Sequence, residues 1–430
     1  MLELNYKLPQ GLQDETFGSY KLKDNMINNV KSIFKSYGYR EVSTPTFEYY
    51  DVFSNIEGTV AREEMFKLID ESGEILVLRP DVTTPIARMV ANNYRDMDDF
   101  LKLSYVSNIF RIKGKDKDSQ REFTQAGIEY FGNGTAEADG EVIALAIKVL
   151  MEHFSIFQLE IGQSDYCKGL FEEGKIDKET QKLLRKYIED KNVPEIQKIL
   201  DKMNIDKKVG DVILEIPKLY GDYPYIIKKA KEISLNDKMK KAIENLEEIC
   251  NIISDYGLNR YISLDLGLIT DLDYYTGAIF KGYVANHGSI VLSGGRYDRL
   301  MEQFGHSMVA TGFGINMDEV IKAKRKTQSI DIEDYTDYMI LYSMDDRKNA
   351  FVLAKKLRNR GYIVETKYCS NERTYIENAM YRKIYNILIL NDNKYKIINT
   401  KKNVTNNIDK DTFLKSIDRR KEIRSLASIH

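Results

Sequence analysis

Four side chains in two short stretches are spaced to handle a small zwitterion. Asp81 and Thr83 follow the apolar run ILVLRP, where a carboxylate and a hydroxyl could hold an ammonium group. Gln125 and Glu129 stand four apart in QAGIE. On a strand, residues i and i+4 point to one face, so both can look into one cleft. A carboxylate there could accept a hydrogen bond from a ring N–H, and Tyr275 could meet the same ring from its other side. The plain alternative is that Glu129 and Tyr275 are ordinary strand residues with solvent or core partners. Gly294 and Gly295 precede Arg296-Tyr297-Asp298. Paired glycines beside a strand allow close backbone approach, and they also read as a turn.

These residues need a frame. Residues 19–38 form an amphipathic helix on the spacing of Leu22, Met26, Ile27, Val30 and Phe34. Tyr39 to Thr44 alternate like a strand, and Pro45 ends it. Residues 75–81 read as a buried strand, and a helix starts over Pro85 to Ala91. FLKLSYVSNIFRI is a strand, GKDKDSQ a charged loop, and QAGIEYFG a further strand. Residues 138–151 form a helix with Val142, Ile143, Ala146, Val149 and Leu150 on one face. From about 169 to 256 the chain turns helical throughout, as an insertion. Strand-like sequence returns in ISLDLGLITDLDYYTGAIF and SIVLSGGRYD. After the charged linker KAKRKTQSIDIED, the strands YMILYS, YIVETKY and YNILIL alternate with helices at 347–360 and near 372–383. That order implies a small, mainly parallel or mixed sheet with helices on it. The domain boundaries expected are 1–325, carrying the insertion, and 326–430.

The totals exclude several classes. A chain of 430 residues has room for two or three domains and buries a full core without staples. Cys167, Cys250 and Cys369 never form a C-x-x-C pair, so no metal site or disulfide framework is expected, and no cofactor. The N-terminus lacks an apolar signal region, and no stretch approaches a membrane span. A cytoplasmic protein with no membrane partner is the expectation. Lys+Arg is 64 against Asp+Glu 66, without the basic excess usual in a protein that wraps nucleic acid.

Five patterns occur in a fixed order: YGYREVSTP, LRPDVTTPIAR, IFR followed by REFTQAGIEYFG, DLDYYTGAIF, and GGRYDRLMEQFG followed by GFGINMDE. With the helical insertion and the β-α-β tail, they resemble the histidyl-tRNA synthetase family over nearly the whole chain. The fold this resemblance implies is α+β. It has a class II aminoacyl-tRNA synthetase-like antiparallel sheet core flanked by helices, the helical insertion, and a C-terminal α/β domain resembling an anticodon-binding domain. It also implies dimerisation through the first helix and strand. In the similar synthetases the matching positions bind histidine, which carries that role to Asp81, Thr83, Arg111, Gln125, Glu129, Tyr274 and Tyr275.

The resemblance breaks on the ATP side. Arg111 matches an arginine on the strand before the mobile loop. Two residues on, the family has an adenine-reading glutamate where this chain has Lys113. A second arginine is replaced by Thr270, followed by Asp271 where the family has glycine. The position of a third is Glu319. Removing a transition-state donor costs ~2.7–4 kcal/mol. Losing two costs ~5–8 kcal/mol, roughly four to six decades in rate. Catalytic residues are therefore not expected. The segment LEIGQSDYCKGL (159–170) resembles a turn of one branch of the family, the ATP phosphoribosyltransferase regulatory subunits, which lack aminoacylation activity. That branch implies a partner, the short-form ATP phosphoribosyltransferase catalytic subunit, together with a self-dimer. It implies histidine as ligand and as feedback signal at the first step of histidine biosynthesis. Some members of the branch are short, whereas this chain keeps the C-terminal unit. tRNA is not an expected partner. A divergent histidyl-tRNA synthetase is the alternative, and a paralogue that binds tRNA or modifies something else stays open beside it.

Overall fold

The computed structural model describes residues 7–56, 60–95, 99–112, 120–203, 205–269, 275–327, 335–369, 371–379, 381–391 and 394–416. The chain divides into two compact units, Met1–Glu15 with Leu22–Ile330, and Thr16–Lys21 with Asp331–His430. No helix among the described residues is long and apolar enough to cross a membrane.

The first unit is built on one sheet of nine strands among the described residues. Six of them make its antiparallel centre: β1 (Leu101–Phe110), β2 (Glu122–Phe131), β3 (Phe157–Gln163), β4 (Ala278–Val284), β5 (Leu292–Arg296) and β6 (Ala310–Asn316). Their spatial order is β1-β2-β6-β5-β4-β3. Arg40–Glu41 lies parallel beside β1, and Ile262–Asp265 parallel beside β3. The alternation expected over Tyr39 to Thr44 thus yields a strand of only two residues.

The period of two fixes the faces of the sheet. Leu101, Leu103, Tyr105 and Ile109 of β1 pack on Ile86, Ala87, Val90 and Ala91 of the helix Thr83–Asn93. The reverse face carries the helix Ala136–His153. This helix is buried on nearly every side, including Ala144, Leu145 and Ile147, and not on one face as its spacing suggested. The helix Asp237–Asp255 covers its outer side. A Cβ on Gly140 would stand 2.6 Å from Ile252 Cγ2, so two helices can touch here only because glycine occupies the contact.

The insertion starts from the helix Ser164–Glu173 and continues through Lys178–Glu189, Val193–Leu200, Lys207–Glu215 and Tyr223–Ile233 to Asp237–Asp255. Four of these helices begin where short polar side chains satisfy orphan N–H groups. Asp177, Asn192, Asp206 and Asn236 accept from the backbone N–H of Thr180, Glu195, Lys208 and Met239.

Residues 75–81 do not form the buried strand expected. Ile75–Leu78 is the middle strand of a small sheet with Phe47–Tyr49 and Lys67–Ile69. Of these four residues only Val77 is buried.

In the second unit, Thr336–Tyr342 lies between the parallel strands Val364–Tyr368 and Ile384–Asn391. The helix Arg347–Arg358 covers one face with Ala350, Leu353, Ala354 and Leu357. The helix Glu372–Ala379 lies on the other, over Met339, Leu341, Ile387 and Ile389. Two faces covered explain why YMILY and ILIL read as continuous apolar runs. Two further antiparallel strands, Lys394–Asn399 and Val404–Asp409, extend this sheet.

Candidate amino-acid pocket

The register of the central strands builds a polar pocket on the face that carries the helix Thr83–Asn93. Gln125, Gly127 and Glu129 of β2 share that face. Tyr105 of β1 stands opposite Gly127, and Gly312 of β6 stands opposite Glu129. A Cβ at Gly127 would overlap the Tyr105 hydroxyl, and one at Gly312 would overlap a carboxylate oxygen of Glu129. These glycines are the floor of the site, because only a missing side chain leaves the carboxylate room to lie across its neighbour. On β5, Gly295 faces the pocket and stands opposite Gly312. Gly294 and Gly295 are therefore mid-strand residues and not the turn the sequence suggested. Alternation then sends Arg296 to the reverse face, where it meets buried Asp139 at 2.9 Å. Tyr297 returns to the front.

The pocket brings together Asp81, Thr83, Arg111, Gln125, Glu129 and Tyr275, with Tyr105, Ser293, Tyr297, Gly312, Phe313 and Gly314 completing the wall. Tyr274, Lys113 and Thr270 lie outside the described residues. Glu129 is buried, with 1% of its surface exposed. Thr83 Oγ1 donates to its Oε1 at 2.7 Å, and the Tyr297 hydroxyl donates to its Oε2. Neither carboxylate oxygen waits unpartnered for a ring N–H, and Thr83 serves Glu129 rather than pointing alone at an ammonium. Asp81 accepts from Thr84 N at 2.8 Å and from Thr84 Oγ1 at 3.1 Å, at the N-terminal end of the helix Thr83–Asn93. The Tyr105 hydroxyl donates to Gln125 Oε1 at 3.1 Å. Arg111 Nε donates to the Pro80 carbonyl at 2.6 Å, which fixes its guanidinium at the rim.

Burial pushes the Glu129 carboxyl up to about 8. The neighbouring Asp81 carboxyl adds to that rise, while the Tyr297 and Thr83 hydroxyls oppose it. Burial also raises Asp81, against the hydrogen bonds from Thr84 and the pull of Arg111. Buried Glu129 and half-buried Asp81 beside one guanidinium make a site that gains from an incoming cation. A ligand with an ammonium, a carboxylate for Arg111 and a polar ring fits this donor set.

Glu319 sits in different surroundings. Its Oε1 accepts from Lys322 Nζ at 2.7 Å and its Oε2 lies 2.9 Å from His287 Nε2. Lys322 reaches on to Gln120 Oε1 at 3.0 Å. Asn316 Oδ1 accepts from the N–H of Asp318 and of Glu319 at 3.1 Å each and so starts the helix Met317–Thr327. Burial opposes ionisation of Glu319, but Lys322 and His287 outweigh it and hold the carboxyl below its usual range.

The family model for histidyl-tRNA synthetase matches residues 11–320. The ATP phosphoribosyltransferase regulatory subunit of Acetivibrio thermocellus is 38% identical over 420 residues, 97% of this chain and 100% of that one. The chain belongs to the ATP phosphoribosyltransferase regulatory subunit family. A relative of the same name from Ruminiclostridium cellulolyticum is 37% identical over 94% of this chain and 97% of its own length. A crystal structure from Bacillus halodurans, described as an ATP phosphoribosyltransferase regulatory subunit/histidyl-tRNA synthetase, superposes with a TM-score of 0.80 at 30% identity, covering 90% of this chain and 98% of that one. The histidyl-tRNA synthetase of Nostoc shares the fold, with a TM-score of 0.81 at 18% identity over 97% of this chain and 100% of that one. The fold is thus the class II synthetase-like one, and the named relatives are regulatory subunits.

Tyr297, Tyr105, Ser293, Gly312 and Gly314 went unremarked as site residues in the sequence. The glycines of GGRYD and GFG were the available signal. Two glycine-bearing strands that must lie side by side leave a hollow between them.

Proposed function

We propose that this chain is a non-catalytic cytoplasmic subunit that binds free histidine and assembles with the short-form ATP phosphoribosyltransferase catalytic subunit. In that complex it is required for activity at the first step of histidine biosynthesis and passes histidine occupancy on as feedback. The observation that carries the reading is the contrast between two carboxylates. Glu129 and its neighbours form a polar pocket with an unmet demand for a cation. Glu319, at the position where the synthetase resemblance places a phosphate-binding arginine, is engaged by Lys322 and His287. A pocket for the amino acid that keeps only one of the three arginines the synthetase resemblance expects for ATP suits a sensor, and the relatives named as regulatory subunits point to the partner. A self-dimer through the first helix and strand belongs to the same proposal.

Mixing the two purified chains tests it. Light scattering is expected to show a hetero-oligomer at micromolar concentration. Phosphoribosyl transfer is expected to need this chain and to fall when histidine is added. A catalytic chain equally active alone would contradict the reading. So would histidine-dependent ATP–pyrophosphate exchange by this chain at ~1–10 s⁻¹, an ordinary enzyme rate.

A further inference from the structure

The backbone that carries Tyr275 into β4 is fastened to the first turn of the helix Ser164–Glu173. Lys168 Nζ donates to the Tyr275 carbonyl at 2.6 Å, and Ser164 Oγ donates to the same oxygen at 3.3 Å. Ser164 N donates to the Gly277 carbonyl at 3.0 Å. Lys168 Nζ also lies 3.4 Å from Ser164 Oγ and 3.6 Å from Asp165 Oδ1. Burial works against its positive charge, as do Arg185, Arg299 and Lys238, while Asp165 favours it. An ammonium is held where its surroundings resist one.

The remaining faces of that helix are tied to the insertion. The Tyr166 hydroxyl, fully buried, donates to the Ala230 carbonyl of the helix Tyr223–Ile233 at 2.9 Å. Asn236 Nδ2, at the start of the helix Asp237–Asp255, donates to the Gly169 carbonyl at 2.9 Å. A Cβ at Gly169 would stand 3.1 Å from Met239 Cγ, so the helices touch without slack. One short helix therefore grips the pocket wall through Ser164 and Lys168 and the insertion through Tyr166 and Gly169.

We propose that Lys168, assisted by Ser164, is the positioning residue that transmits occupancy of the pocket to the helical insertion. The inference rests on the reading of the pocket as a histidine site. The Tyr275 side chain lines that pocket and is buried, while its carbonyl is the Lys168 acceptor. A ligand packed against the ring changes the geometry of the bond that fixes the helix. Close-packed helices joined by hydrogen bonds pass on such a shift rather than absorb it. The insertion then has a different stability in the filled and empty states, which is what coupling between sites requires.

Hydrogen exchange with and without saturating L-histidine tests this, run beside calorimetry on the wild type, Lys168→Met and Lys168→Arg. In the wild type, L-histidine is expected to slow exchange ~5-fold or more, the lower end of ordinary site coupling, in Tyr223–Ile233 and Asp237–Asp255 as well as in β2. Lys168→Met is expected to keep histidine binding within roughly tenfold, on the scale of one lost charged hydrogen bond, and to keep protection in β2. It loses protection in the two insertion helices. Lys168→Arg, which keeps a cationic donor, restores it. Should Lys168→Met not fold, Ser164→Ala serves in its place, with partial loss expected. Insertion helices that stay protected in Lys168→Met or in Ser164→Ala overturn the inference, as does wild-type binding without any change in the insertion. A wild type that binds no L-histidine at millimolar concentration overturns the pocket reading, and this one with it.

Discussion

Two carboxylates of the first unit, Glu129 on β2 and Glu319 in the first turn of the helix that follows β6, have been treated in opposite ways. Glu129 is enclosed by two hydroxyls and faces a second acid, and its carboxyl is raised to about 8. Glu319 has an ammonium at 2.7 Å and an imidazole at 2.9 Å, and its carboxyl is lowered. Desolvation without a counter-charge is costly, so a fold that keeps it has left room for something that supplies the charge. Desolvation with a counter-charge is ordinary structure. On the function proposed above, the difference marks Glu129 as belonging to the end of the site that reads an amino acid, and Glu319 as a carboxylate engaged by the chain's own Lys322 and His287.

The largest effects are expected at the Glu129 end. Saturable L-histidine at a hundredfold excess over its Kd raises stability by ~2.7 kcal/mol, and Glu129→Ala is expected to abolish that rise in a thermal-shift assay while the fold persists. Gly312→Ala is expected to do the same and to cost a further ~1–3 kcal/mol from overpacking. Its new Cβ would overlap both the Glu129 carboxylate and the Ile128 carbonyl. A Gly312→Ala protein that binds histidine normally would show that the floor is not where the ligand lies.

A smaller effect separates the two acids by pH. With its folded value near 8 and its ordinary value at 4.5, Glu129 holds a proton in the folded state that the unfolded chain has lost. Its contribution is fully present below the ordinary value and fades as pH rises towards 8. The slope is up to ~1.4 kcal/mol per pH unit. Denaturant melts of the ligand-free protein should show this slope, and Glu129→Gln should remove it. Glu319 titrates in the other sense. Its contribution is present above the ordinary carboxylate range and is lost on acidification.

The smallest effect is expected at the Glu319 end. Lys322 is nearly half exposed, so Glu319→Ala should cost only ~0.5–1 kcal/mol and leave histidine affinity within about twofold, as calorimetry would show. A large loss of histidine affinity would join the two ends into one site and erase the distinction.

The sequence carried the pocket as far as periodicity reaches. Gln125 and Glu129 share a strand face because the side-chain period is two, whereas the run ILVLRPD overran its strand, which ends at Leu78, before Asp81. Tyr297 was beyond that reach. It meets Glu129 across three strands, and only the order β2-β6-β5 makes them neighbours. Lys168 was hidden for a related reason. Its partner is a backbone carbonyl, which carries no residue signature. In the second unit, KYKIIN and VTNNID went unread as strands because lysine and asparagine are weak strand formers; only VTNNID lies at the sheet's edge, while KYKIIN is paired on both sides. The paired glycines misled in the opposite direction, since turn chemistry and close approach use the same residue.

Calorimetric titration of L-histidine into the purified chain, at neutral pH in two buffers of different ionisation enthalpy, bears most directly on the central claim. The expected result is saturable binding at one site per chain, with net proton release as the cationic group of the ligand drives Glu129 to ionise. The proton release should fade as pH passes about 8 and vanish in Glu129→Gln. No heat at millimolar histidine, or binding that survives unchanged in Glu129→Ala, would contradict the account.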